Sequence, residues 1–350
     1  MVPCGHPSEP PPRFVIQTVI ITRCLVLSLA SLAWTALPAA QNVDCDSSRF
    51  NSLTNIWKPQ PDQNTGQVTA VELAAERKIM ARVLDMFKSA FVPTGAIGLY
   101  SANYDILPQA VTNKSRYGNT YSFVLSHHKI ECLNGTPAAR DVSLGNVSVQ
   151  VNSSFVDEAT VHGSPSTIGY SFLPRGYYQR KGKVALPEAN DQGVQEFNFS
   201  DGTTVWWLTR PGALPFRVVT RREFLQKQTA ILQSRSGTSA KRLAYYQGLL
   251  SEGPDEVAIV KEIEVASLNG YAHVFTTLGD RTSRVYVTVN PDYYDRGRPK
   301  SAPQHILIRL RHENASFLNS TGIGARHLES FQTLREIVRA NLAELHATVK

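Results

Sequence analysis

Residues 199–225 read FSDGTTVWWLTRPGALPFRVVTRREFL, and the adjacent Trp206 and Trp207 decide the architecture. Neighbouring side chains on a strand point to opposite faces. In TTVWWLTR, Val205 and Trp207 therefore share one face, and Trp206 and Leu208 share the other. Both faces are apolar. Either the strand is covered on both sides, or one indole stays exposed as a stacking platform of the kind a glycan-binding face needs. The reading favours burial of both rings. Thr220 and Glu223 form a capping box, and Phe224, Leu225, Gln228, Ile231 and Leu232 follow at helical spacing. Short connections usually join neighbours in space, so this helix is expected to pack on the VWWL strand and bury one tryptophan.

Outward from that stretch, helices and strands come in blocks. Thr69 and Glu72 make a second capping box, and Ile79, Met80, Val83, Leu84, Phe87 and Phe91 recur every three or four residues until Pro93 and Gly95. The period then becomes two. YSFVLSHHKIEC and NVSVQVNSS alternate apolar and polar positions, as antiparallel strands with one wet face do. A helix over about residues 240–250 follows, and SEGPDE (251–256) suggests the start of another. RVYVTVNPDYY and QHILIRLRH return to strands, the latter with Ile306, Ile308 and Leu310 on one side. A final helix spans about residues 326–345. Blocks of this kind imply an α+β fold, with antiparallel sheets packed against several helices.

The first forty residues present a separate pattern. Arg13 and Arg23 precede the apolar Cys24–Leu37 segment, followed by small residues, the layout of a secretory signal cleaved near Ala39 or Ala40. Fourteen residues is short for a membrane span, and a retained anchor is the alternative. Residues 41–67 are turn-rich and read as a linker, leaving 68–350 as the α+β domain, with two subdomains, 68–215 and 216–350, as a possible division. Removing residues 1–40 takes Arg13, Arg23 and Glu9 with it and lowers the formal charge from +7 to +6. That excess favours an anionic polymer, a glycan or a protein partner, and nucleic acid is not expected. Cys45 and Cys132 are the two cysteines beyond the signal and can form a disulfide in an oxidising compartment. Asn-X-Ser/Thr sequons stand at Asn113, Asn134, Asn146, Asn152, Asn198, Asn314 and Asn319, candidate glycosylation positions in a secretory pathway.

The chain contains no G-x-S-x-G elbow, H-E-x-x-H, phosphate loop or EF-hand loop, and no cofactor is expected. His127, His128, Glu131 and Cys132 are rich in metal-ligand types. On a strand, however, the two histidines face apart, and an ordinary sheet pair is the better reading. VNPDYYDRGRP places Asp292, Tyr293, Tyr294 and Arg296 together, which suits a cation or a stacked sugar but also turn chemistry. With Trp206 and Trp207 these four form the candidate binding set. A secreted or envelope protein with a binding or structural role is the leading reading. The alternative is a hydrolase-like enzyme using dispersed Glu131, Asp292, Asp295, His305 and His312. LTRPGALPFRVVTRREFL and VNPDYYDRGRPKSAPQHILI also resemble two motifs of secreted proteins from Bacteroidetes-type bacteria. The resemblance covers under a fifth of the chain and implies secretion and an α+β fold, without an activity.

Overall fold

The computed structural model describes residues 50, 52–64, 68–104, 118–133, 136–153, 170–180, 183–234, 240–251, 253–261, 274–312 and 324–349. Contacts divide the chain between Asn42 and Val43, and all described residues lie on the C-terminal side. The signal segment, Cys45 and the sequons at Asn113, Asn134, Asn314 and Asn319 lie outside the described residues.

In chain order the first elements are β1 (Ile56–Pro59), β2 (Gln63–Asn64), α1 (Ala70–Ala90), β3 (Ala96–Tyr104), β4 (Tyr121–Leu133) and β5 (Thr136–Val151). Next come β6 (Ser171–Leu173), a 3-10 turn (Arg175–Tyr177), β7 (Gln179–Arg180), β8 (Lys183–Val184), β9 (Val194–Asn198) and β10 (Thr204–Leu208). After these stand β11 (Phe216–Val218), α2 (Arg221–Ser234), α3 (Ala240–Leu249) and β12 (Ile259–Lys261). The last are β13 (Ser283–Val289), β14 (Ile306–His312) and α4 (Gly324–Ala347). The fold is α+β. Its larger sheet runs β1-β3-β4-β5-β14-β10-β9, with β1 and β2 parallel to β3 and every other pairing antiparallel. In the smaller sheet β13 pairs antiparallel with β11, β12 and β6.

The layers follow from side-chain alternation. On one face of the large sheet, Phe123, Val149, Trp206 and Ile308 pack with Met80 and Phe87 of α1 and with Phe331, Leu334 and Val338 of α4. On the opposite face Val205, Trp207 and Leu307 meet Phe216, Val285 and Val287 of the small sheet. The small sheet's outer face, through Val219, Val260 and Tyr286, packs against Phe224 and Leu225 of α2 and Tyr246 of α3. Both tryptophans are buried, at 0 % exposure. The cover differs from the expectation. The helix after Thr220 does not pack on the VWWL strand, because β11 first enters the small sheet and leaves that sheet between them. Trp207 is enclosed by Tyr177, Phe197 and Phe216, with ring centroids 4.7, 4.4 and 5.4 Å away. Trp206 faces the helices, and its indole N–H donates to Glu196 Oε2 at 2.9 Å.

Both capping boxes form. Thr69 N donates to Glu72 Oε2 and Glu72 N to Thr69 Oγ1, and Thr220 and Glu223 repeat the exchange. Three other boundaries differ from the sequence reading. Part of the 41–67 linker forms edge strands, fixed by Trp57 packing edge-on to Phe91 and Tyr100. A split at 215/216 does not separate the sheets: β14 from the second half lies between β5 and β10, and β6 from the first half pairs with β13. SEGPDE leads through turns into β12.

Candidate functional site

β14 is an interior strand, paired to β5 on one side and β10 on the other. Its even residues, Ile306, Ile308 and Leu310, join the helix-side core. Alternation therefore places Leu307, Arg309 and Arg311 on the opposite face. Leu307 still lies under the small sheet. The two arginines lie beyond that cover and line a cavity of about 230 Å³. Thr203 and Val205 share the cavity from β10 and its approach, with Pro174 and Tyr177 from the 3-10 turn and Phe199 and Asp201 from the β9–β10 turn.

The walls are set by local chemistry. Phe199 meets Tyr177 edge-on at 5.1 Å and 86°. A Cβ on Gly176 would fall 2.1 Å from the Phe199 ring, so glycine permits that approach. Asp201 Oδ1 accepts from Thr203 N at 2.9 Å, and Gly202 turns the chain at φ +85°. Arg309 is partly buried and Arg311 exposed, with Ser148 and Asn146 of β5 opposite them in register. Burial first, and then the neighbouring Arg311, hold the Arg309 guanidinium below its ordinary pKa. Two like charges on one face of an interior strand raise each other's energy, and an anion between them relieves it. With two guanidiniums against the Asp201 carboxylate, the lining carries one excess positive charge.

The expected binding set sits elsewhere and is mostly interior. Tyr293 and Tyr294 are buried, at 1 % and 7 % exposure, so neither they nor the two tryptophans present a ring face for stacking. Tyr293 Oη donates to Gln304 O at 2.5 Å and accepts from Arg210 N at 3.0 Å, and burial pushes its pKa up to about 12. Gln304 reaches back to the Asp295 backbone through both amide atoms, at 2.8 and 3.2 Å. Arg298 donates to the carbonyls of Val349 and Thr348, tying this loop to the end of α4. Asp292 and Arg296 are exposed on the same loop. The segment 290–305 is a hydrogen-bonded connector.

Asn152 is its anchor. The residue has φ 51° and is 6 % exposed. Its Nδ2 donates to Asn119 O and Ala302 O at 3.1 and 3.0 Å, and its Oδ1 accepts from Gln304 N and His305 N at 2.7 and 3.4 Å. Both amide protons are engaged inside the protein, so the Asn152 sequon cannot carry a glycan in this fold. Asn198 is exposed on edge strand β9, and Asn146 is half-buried beside Arg311.

The acid/base candidates do not converge. His305 and His312 stand at opposite ends of β14, seven residues and roughly 23 Å apart along the strand. Asp292 and Asp295 are exposed on the connector, and Glu131 lies near the far end of β4. The register shifts around His128, but His127 is buried and stacked on Phe91 at 4.7 Å. No three metal-ligating side chains cluster among the described residues. The arginine pair is hidden in the sequence because the apolar face of QHILIRLRH dominates its pattern. Cationic residues at i and i+2 within an interior strand were the available signal. No known protein family, curated protein or solved structure matches the chain.

Proposed function

We propose that this is an exported binding protein whose site is the Arg309–Arg311 cavity, and that its ligand is anionic. The observation that carries the reading is the placement of two guanidiniums, side by side on an interior strand, in the wall of a cavity. Guanidiniums bind carboxylate, sulfate and phosphate through paired N–H donors, more strongly than neutral partners do. The hydrolase-like alternative gains less support, since among the described residues His305 and His312 stand at opposite ends of β14. Thermal unfolding at constant ionic strength tests the binding role. Added sulfate or acetate is expected to raise the Tm by mass action, and Arg311→Gln to remove the rise. An equal rise in parent and variant would overturn the assignment.

Export is supported by the signal-like segment, and an oxidising compartment would let Cys132 form a disulfide. Cys45 is the partner we assign it, and Asn198 is the sequon most open to modification among the described residues. Mass spectrometry of secreted, non-reduced protein is expected to find an N-terminus between residues 39 and 43 and a peptide joining Cys45 to Cys132. In a glycosylating host it should show a glycan on Asn198 and none on Asn152. An intact Met1 would contradict export, and a free Cys132 would contradict the disulfide.

A further inference from the structure

We infer that the face of β3, β4 and β5 turned away from the helices is a docking surface for a polysaccharide, a chain of hydroxylated rings lying across the strands. The inference goes beyond the anion-binding reading and does not use the arginine cavity. It starts from alternation. Ala102, Phe123, Leu125, Val147 and Val149 point into the helix-side core, so their strand neighbours point the other way. Register sets those neighbours in rows. Asn103, Ser122 and Gln150 form one row, and Ser101, Val124 and Ser148 the next. Ser126 and Asn146 continue a third, which ends at Arg311 on β14. Across β3, β4 and β5 the named positions are hydroxyls and amides around one valine, and none is charged.

The state of these groups carries the inference. Among the described residues, none of these polar side chains hydrogen-bonds to another residue, and none is an orphan sealed from water. Their polar atoms therefore face solvent. Asn152, at the end of the same β5, shows the opposite state, with its amide spent on four internal bonds. Apolar patches flank the polar strip on the same face. Ile97 and Leu99 pack with Phe50 and Ile130 on one side, and Leu307 lies under the small sheet on the other.

The chemistry of the strip selects its occupant. Protein interfaces concentrate aromatic residues, methionine and arginine at their centres and are poor in serine. The strip is rich in serine and carries no aromatic ring. Nucleic acid calls for a row of cations on its phosphates, and these strands present none there. Hydroxyl and amide side chains both donate and accept hydrogen bonds, as sugar hydroxyls do. The strip measures roughly 10 Å across three strands and roughly 13 Å along four residue steps. That area exceeds one sugar ring and suits a chain.

Affinity electrophoresis through gels holding dextran, laminarin, hydroxyethyl cellulose or hyaluronan tests the inference. At least one of the four is expected to retard the parent protein. Ser126→Val combined with Gln150→Val removes a hydroxyl and an amide from half-buried positions and keeps strand-forming residues there. The double variant should bind that polymer roughly tenfold more weakly, with circular dichroism checking that it keeps the fold. Arg311→Gln should leave the retardation unchanged. Retardation by none of the four, or equal retardation of parent and double variant, would overturn the inference. Retardation abolished by Arg311→Gln would assign the binding to the cavity and overturn the role of this face. A glycan on Asn146 of the secreted protein would cover the strip with bulk of its own and have the same consequence.

Discussion

β14 leaves the 290–305 connector at Gln304 and His305 and carries Arg309 and Arg311 on its second half. At the first end the polar contacts are internal. Asn152 closes four hydrogen bonds there, Tyr293 joins two segments, and the His305 ring Nε2 donates to Ser153 O at 2.7 Å. At the other end two guanidiniums line a cavity. Polar groups cost free energy to bury, and only paired ones are cheap to keep. Polarity consumed by the protein's own backbone acts as scaffold. Polarity arranged around a cavity remains available to a ligand. The rich-looking DYYDRGRP segment is of the first kind, and the plain-looking IRLRH segment carries the two arginines that line the cavity.

Asn152→Ala should have the largest effect. The substitution strands two backbone carbonyls and two amides in a buried region and places alanine at φ 51°, where asparagine is better tolerated. A loss of roughly 3–5 kcal/mol is expected in urea unfolding. A loss under about 1 kcal/mol would break the scaffold half of the comparison.

The pH dependence comes next. His305 is fully buried, and desolvation lowers its pKa from the ordinary 6.5 to about 4. Between those values the unfolded chain binds the proton and the folded chain does not, so stability falls as pH drops from 6.5 to 4 and is fully recovered above 6.5. The group alone accounts for about 3 kcal/mol across that window. His305→Gln should flatten the slope, and an unchanged slope would show that another group governs acid unfolding.

These outcomes bear on what the sequence could reveal. The α+β class was legible, because alternation in residues 121–151 and 306–312 and the Thr69 and Thr220 capping boxes are local signals. The partner of Trp206 was not. Its cover comes from α4, more than a hundred residues later, and no spacing rule links Phe331 or Val338 to a strand at 206. The helix after Thr220 was misplaced for the same reason: β11 occupies three residues, too few for alternation to announce a second sheet. The site was half legible. The arginines alternate with Ile308 and Leu310, but only the pairing of β14 between β5 and β10 makes their placement costly.

The smallest effect on stability sharpens the other half of the comparison. Arg309→Met removes a partly buried cation beside a like charge and replaces it with an apolar chain of similar length. If Arg309 served as scaffold, as Asn152 does, its loss would cost several kcal/mol through the polar partners left behind. If it is held for a ligand, the change should stay within about 1 kcal/mol of the parent and become stabilising in low salt, where repulsion from Arg311 is least screened. A double-mutant cycle with Arg311→Gln separates the cases. Either single change relieves the same repulsion, so the double variant should gain less than the two single gains combined, by roughly 0.5–1 kcal/mol at low ionic strength. The coupling should shrink as salt rises, because it is a charge effect between groups open to solvent on one side. A coupling of opposite sign, with each arginine supporting the other, would mean that the pair is held together by the protein itself, and the distinction between the two ends of β14 would fail.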